Sequence, residues 1–370
     1  MQLNRDARAL LSLLLSERLP VSDTWSPAER QAAIAILWRD LASKLPAMSH
    51  LLRFRQAVGE SVSTRTRTDS SHLSLDPIGP AENQPPSEQG DTKVDVLLVC
   101  PLPKEAVSAL LALGGDIFDR EFKNFAGRKV YLKHVDRSEG RSLSVGLAVI
   151  AQPRNVPAAI STMVFLTGVG GEAAFLCGIG GGVKGKVSLG DVVISSSVID
   201  VAGGRSEPGR VGKRNDPFAV PLPILRQVEY FVSSRVAPTW WRAQLLAGAE
   251  RLISTDVVKM PAPQELTGMP FNVDDGIIVA GEQLVADGSL PTHLQYDDRI
   301  RSCDMEGSGF AQSCNEKRVN WGVFRGISDY GDPVKTDEWQ GIAAFAAVRA
   351  ALHFLSTEFR LNEEMQGPMF

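Results

Sequence analysis

Two short runs, Cys303-Asp304-Met305-Glu306-Gly307 and Val323-Phe324-Arg325-Gly326-Ile327-Ser328-Asp329, carry more information than any other part of this chain. Together they read as a loop, a helix over 305–317, an apolar strand over 319–324 and an acidic turn. Glu306 opens the helix, where the macrodipole favours a carboxylate. Asp329 falls just past the strand, where open α/β sheets present side chains to ligands. Two carboxylates and Arg325 therefore stand at element ends. Taken alone, a D-x-E of this kind is more often a pair of helix charges beside a solvated turn.

Upstream, Cys177-Gly178-Ile179-Gly180-Gly181-Gly182-Val183 leads into Val187-Ser188-Leu189-Gly190-Asp191-Val192-Val193-Ile194-Ser195. A buried strand over 174–177 feeds a glycine turn, where backbone can approach a ligand closely. The run from Gly180 to Val187 nearly spells a P-loop. Val187 stands where the magnesium-holding hydroxyl belongs, and a strand follows instead of a helix. Gly178-Ile179-Gly180 fails as a dinucleotide fingerprint because Val183 takes the place of the third glycine.

Outward from these blocks, strands alternate with helices. Strands are expected over 94–100, 128–135, 143–150, 174–177, 192–198 and 277–280, and helices over 103–113, 157–166, 224–232, 240–252 and 339–355. That alternation predicts an α/β domain on one mostly parallel or mixed sheet.

The two blocks, in this order, resemble the nucleoside phosphorylase and nucleosidase superfamily, most of all the methylthioadenosine/S-adenosylhomocysteine nucleosidases. The resemblance spans about 94–355 and implies a three-layer α/β/α sandwich with a mixed central sheet. It implies that Glu306 accepts hydrogen bonds from ribose hydroxyls and that Met305 packs on the sugar. Asp329 matches the acid that protonates the purine, and Arg325 the residue that orients the nucleophile and its base. Glu105, in Pro103-Lys104-Glu105-Ala106, aligns with the water-activating glutamate; as a bare residue it is a first-turn helix charge. Gly178, Ile179 and Gly180 line the ribose and nucleophile pocket, and Leu284 and Val285 flank the base. A phosphorylase's glycine-and-arginine phosphate loop is missing, so hydrolysis is expected over phosphorolysis. Three departures stand out. Ile179 replaces a frequent hydroxyl residue. Ala151-Gln152-Pro153-Arg154-Asn155-Val156-Pro157 replaces a glycine-containing turn, with Arg154 read as a solvated loop arginine that could contact an anion. The glycine-rich loop over 203–214 carries Arg205, Arg210, Lys213 and Arg214; it reads as a solvated loop, or as a basic lid suited to phosphate.

The 370 residues allow about two domains. Residues 1–60 read as three short helices, with Ser26-Pro27-Ala28-Glu29 as a capping box. Residues 61–92 are rich in Ser, Thr and Pro and read as a linker. The catalytic domain is expected over 93–358, with a tail over 359–370. A net charge of −4 gives no general attraction to nucleic acid or anionic lipid. The 4 cysteines are scattered, with no C-x-x-C pair, which speaks against zinc or a disulfide framework and for a reducing compartment. No signal peptide or membrane span is read, so the cytoplasm is the default. The expected function is a purine, adenine-directed nucleosidase acting on a nucleoside or nucleotide. No cofactor or metal is expected, and residues 1–60 are expected to dock a protein partner, an arrangement similar to bacterial defence effectors. The resemblance also implies a homo-oligomer. Housekeeping salvage of methylthioadenosine, a phosphorolytic enzyme and a non-catalytic nucleotide-binding scaffold are the alternatives.

Overall fold

The computed structural model describes residues 93–365 except 115–121, 126–127, 202–203, 208–209, 214–215, 235–237, 256–258, 283–296 and 334–336. The helical module expected over 1–60 and the linker over 61–92 lie outside the described residues.

β1 (Val96–Cys100) is an unbroken apolar run, buried throughout. Strands pair with both its edges and helices cover the faces of the sheet, so no position is left to face water. It pairs in parallel with β4 (Leu143–Val149) and β5 (Ala173–Gly182). Beyond β4 the sheet continues antiparallel through β3 (Arg128–Val135) and β2 (Phe122–Phe125). On the other side β5 pairs in parallel with β12 (Asn320–Asp329), and β12 pairs antiparallel with β6 (Val192–Asp200). β6 then pairs in parallel with β10 (Val273–Ala280), and β10 with β11 (Ile300–Asp304). β11 returns to pair antiparallel with the far end of β5. The strands β5, β12, β6, β10 and β11 thus close on themselves at one end of a mixed sheet. β9 (Asp216–Ala219) adds to β6.

Helices cover both faces. α1 (Pro103–Ala112), α4 (Pro238–Thr255) and α7 (Gln340–Thr357) pack together on one side, and α2 (Asn155–Val169) and α6 (Gly307–Lys317) on the other. α3 (Leu222–Ser233) joins the α7 side, where Phe231 meets Phe354 edge-on. α5 (Pro263–Gly268) and α8 (Asn362–Met365) are short. The period of two along β12 assigns its side chains to these layers. Trp321 meets Phe310 of α6, whereas Phe324 meets Phe354 of α7. Arg325 therefore falls on the α6 face. Gly326 falls on the α7 face, where an added Cβ would lie 1.9 Å from the Ala343 carbonyl oxygen. The three-layer sandwich expected from the resemblance is the fold found.

Several expected elements differ in extent. β5 continues through Gly178 and Gly180 to Gly182, so these glycines lie in a strand and not in a turn. β12 runs on to Asp329, which puts Arg325 inside the strand and not at its end. Cys303 and Asp304, read as loop, end β11. The loop over 203–214 contains a hairpin, β7 (Gly204–Glu207) with β8 (Arg210–Lys213). In each case the segment is glycine-rich or polar, and its strand character comes from backbone pairing with a partner, which periodicity cannot register. Within the tail expected over 359–370, Phe359 and Leu361 are buried, and Phe359 meets Phe175 with ring centroids 5.9 Å apart. Among the described residues no helix is long and apolar enough to cross a membrane.

Candidate functional site

Pro103 presets the first helical φ of α1, and Glu105 two residues on folds back over the helix start. Its Oε2 accepts the Leu102 N–H at 2.7 Å, and Oε1 accepts the Ile179 N–H of β5 at 2.9 Å. Burial lifts this carboxyl above the usual range, while Arg325 and the two N–H donors oppose the rise.

Arg325 is completely buried. Its Nε donates to Asp304 Oδ2 at 2.8 Å, and Nη2 lies 2.7 Å from the same oxygen. Nη2 also donates to Glu306 Oε2 at 3.3 Å, and Nη1 to the Ile179 carbonyl at 3.3 Å. Desolvation works against its charge, but Asp304, Glu306 and Glu105 more than offset this and hold the guanidinium above its usual range.

The arginine and Glu105 occupy space that β5 leaves empty. A Cβ at Gly178 would lie 2.7 Å from Arg325 Nη1 and 2.8 Å from Glu105 Oε1. One at Gly180 would lie 2.6 Å from Ser302 Oγ. Ile179, between them, serves both partners through its backbone, N–H to Glu105 and C=O to Arg325. Replacing a hydroxyl residue by isoleucine leaves those two contacts intact.

Glu306 is the N-cap residue of α6 and is 6% exposed. Its Oε1 accepts the Arg154 N–H at 3.1 Å. Burial, relieved in part by Arg325 and reinforced by Asp304 and Glu105, pushes its carboxyl up to about 7. Met305 before it is half-buried.

Asp329, the last residue of β12, is buried. Its Oδ1 accepts the Gly331 N–H at 2.9 Å and its Oδ2 the Ser328 hydroxyl at 2.8 Å. It sits beside Gly181, where an added Cβ would lie 3.6 Å from Oδ1 and 3.0 Å from Cys303 Sγ. The structure thus pairs Arg325 with Glu306, links it to Glu105 through the Ile179 backbone, and sets Asp329 further along β12.

Two contributors have no assigned role in the sequence reading. Asp304 is 8% exposed, binds Arg325, and accepts the Gly307 N–H at 3.0 Å through Oδ1. Its signal was the D-x-E spacing itself. The turn before α2 is the other. Arg154, expected as a solvated side chain, does have an exposed side chain, but its backbone N–H reaches Glu306. Its backbone is strained, with φ 91° and ψ 158°, and Ala151 in the same turn has φ 66°. The Arg154 conformation is close to glycine-only, at about 1–3 kcal/mol for another residue. Next to it, buried Asn155 accepts the Gly309 N–H at 3.1 Å and donates to the Gly281 carbonyl at 3.2 Å.

Leu284, Val285 and Arg214 lie outside the described residues. Arg205 and Arg210 belong to strands β7 and β8, which place their backbones in one hairpin. Among the described residues no group of 3 or more His, Cys, Asp and Glu side chains is arranged to hold a metal ion.

A mixed sheet closed at one end, with buried carboxylates and an arginine gathered on its glycine strand, defines an α/β enzyme-like scaffold. The family model described as the phosphorylase superfamily matches residues 95–356, and this chain belongs to that superfamily. It is 26% identical over 264 residues to the ATP nucleosidase Cap17 of Escherichia coli (strain KTE188), a match covering 70% of this chain and 50% of that protein. The chain therefore spans about half the length of that relative. It is 23% identical over 250 residues to the 5'-methylthioadenosine/S-adenosylhomocysteine nucleosidase of Glaesserella parasuis serovar 5 (strain SH0165), covering 65% of this chain and 91% of that one. Among solved structures, the Helicobacter pylori 5'-methylthioadenosine/S-adenosylhomocysteine nucleosidase with butyl-thio-DADMe-Immucillin-A superposes with a TM-score of 0.52 at 14% identity, covering 71% of this chain and 98% of that one. At that identity the superposition establishes the fold.

Proposed function

We propose that the chain is a purine nucleosidase, adenine-directed, that hydrolyses the N-glycosidic bond of a nucleotide. The observation that carries this is the Glu105–Arg325–Glu306 cluster, with Glu105 pinned by two backbone N–H groups and raised in pKa by burial. A raised carboxyl suits a general base working near neutral pH. In this reading Glu105 takes a proton from water, and the resulting hydroxide character attacks the anomeric carbon. Glu306 accepts hydrogen bonds from the ribose hydroxyls as the sugar gains positive charge. Met305 packs on the sugar and Arg325 holds both carboxylates in place. Asp329 delivers a proton to the purine as the C–N bond breaks, so water is consumed and free base and a sugar phosphate leave. Gly178, Ile179 and Gly180 line the ribose and nucleophile pocket, while Leu284 and Val285 flank the base.

The likeness to an ATP nucleosidase favours a phosphorylated substrate. Arg205, Arg210 and Arg214, in and beside the β7–β8 hairpin, are assigned to its phosphates. The enzyme is read as cytoplasmic and oligomeric. It is read as an effector in antiviral defence, recruited by a protein partner through residues 1–60, because an added module and linker have no use in salvage.

The test is release of free adenine from adenosine, methylthioadenosine, AMP and ATP, with and without inorganic phosphate. The expected result is adenine release from nucleotides that is unaffected by removing phosphate. Formation of a sugar 1-phosphate that requires added phosphate, or preference for methylthioadenosine, overturns the reading.

A further inference from the structure

Arg154 holds a backbone conformation that glycine adopts without strain, yet it is an arginine. Its described contacts are both through the backbone, the N–H donated to Glu306 Oε1 and the carbonyl that accepts the Ala158 N–H, and glycine would supply them equally well. The exposed guanidinium makes no hydrogen bond or ion pair among the described residues. The side chain therefore contributes nothing to the fold that offsets the strain. The turn is also held from behind, which keeps it from relaxing. Arg128 Nη1 donates to Ser161 Oγ at 2.6 Å and to the Ile150 carbonyl at 3.4 Å, just ahead of Ala151.

We propose that Arg154 is a specificity-determining residue that pairs with a phosphate of the substrate, so that the site selects a nucleotide over the unphosphorylated nucleoside. This rests on the purine nucleosidase reading, in which Glu306 takes the sugar hydroxyls. The Arg154 backbone touches Glu306, which sets its guanidinium within one side chain's length of that sugar. Arginine stays charged at any working pH and can grip two phosphate oxygens at once. The site needs such a cation at its rim. Arg325 is completely buried and already paired with Asp304 and Glu306, so it offers no charge to an incoming phosphate. A phosphate paired with Arg154 gains the charged contact that the interior of the site lacks, whereas a neutral nucleoside gains nothing from it.

The experiment compares the Kd of AMP and of adenosine by calorimetry, and adenine release from each, for the full chain and for its Arg154→Gly and Arg154→Lys variants. Glycine keeps the N–H and removes the strain, so the Tm of Arg154→Gly is expected at or above that of the wild type. The preference for AMP over adenosine is expected to fall about 10-fold or more in Arg154→Gly, the loss of one charged pair. Arg154→Lys is expected to restore part of it, and added salt to narrow the difference. An unchanged preference in Arg154→Gly, or equal loss for both ligands, overturns the proposal. If wild type releases adenine from neither ligand while AMP binding still depends on Arg154, the nucleosidase reading fails and the phosphate contact stands.

Discussion

Arg325 brings one positive charge into contact with Asp304 and Glu306, with Glu105 close behind, and all four residues are buried. Full ionisation would leave surplus negative charge in a low-dielectric interior, so burial raises both Glu105 and Glu306, the latter to about 7. Because this folded value lies above the ordinary one, the native state holds a proton that the unfolded chain has released. The contribution to stability is complete below pH 4.5 and is lost as pH rises through about 7. A shift of that size is on the order of 3 kcal/mol. Tm measured from pH 5 to pH 8 is expected to fall more steeply in wild type than in Glu306→Gln. Equal slopes would place the retained proton elsewhere. Asp329 accepts hydrogen bonds from Ser328 and Gly331. In its proposed role of proton donor to the leaving purine it would act in the transition state. Asp329→Asn is expected to lower kcat by about 10²–10⁴-fold with KM little changed. A variant with near wild-type turnover on an unactivated purine nucleotide removes Asp329 from the mechanism.

At the scale of elements, the contact between α2 and α6 positions the chemistry. A Cβ at Gly309 would lie 2.0 Å from the Asn155 carbonyl oxygen, a backbone atom that cannot swing aside. The helices touch there because no side chain intervenes. Asn155 bonds to the Gly309 N–H, and Arg154 beside it bonds to Glu306. Gly309→Ala is expected to destabilise by about 1–3 kcal/mol through overpacking. It should also reduce kcat/KM, because pushing α2 away draws the Arg154 N–H off Glu306. Thermal unfolding and turnover measured together check this. A Tm loss without loss of kcat/KM would show that the helix contact supports only stability.

For the whole molecule, the core described is assembled from β1 onward, from Val94 to Leu361. Among the described residues, the sheet, the helices on both faces and the buried cluster fall within that span. A chain beginning at Gly90 is therefore expected to unfold cooperatively and to release adenine at a rate within a few fold of the full chain. We assign residues 1–60 to recruitment and 61–92 to the tether. Aggregation of the shortened chain, or loss of its cooperative transition, would make the N-terminal residues a structural cap.

Apolar runs and helix starts were enough to place β1, β3, β4, α1, α3, α4 and α7 within a few residues of their observed limits. They also establish the α/β alternation, since periodicity reports which side of an element is buried. The pairs of residues that make the cluster, Glu105 with Ile179 and Arg325 with Asp304, lie far apart or in different elements. Their types could be recognised in order along the chain, but their contacts could not. The glycine strand was read as a turn because a strand without side chains has no period to detect. Only pairing with β12 and β11 reveals it, and only the approach of Arg325 and Glu105 shows why side chains are excluded. The partnership of Asp304 and the backbone donation by Arg154 belong to the tertiary structure for the same reason. A charge's partner and a peptide's φ are settled by what the folded chain brings against them, and one residue's identity contains neither.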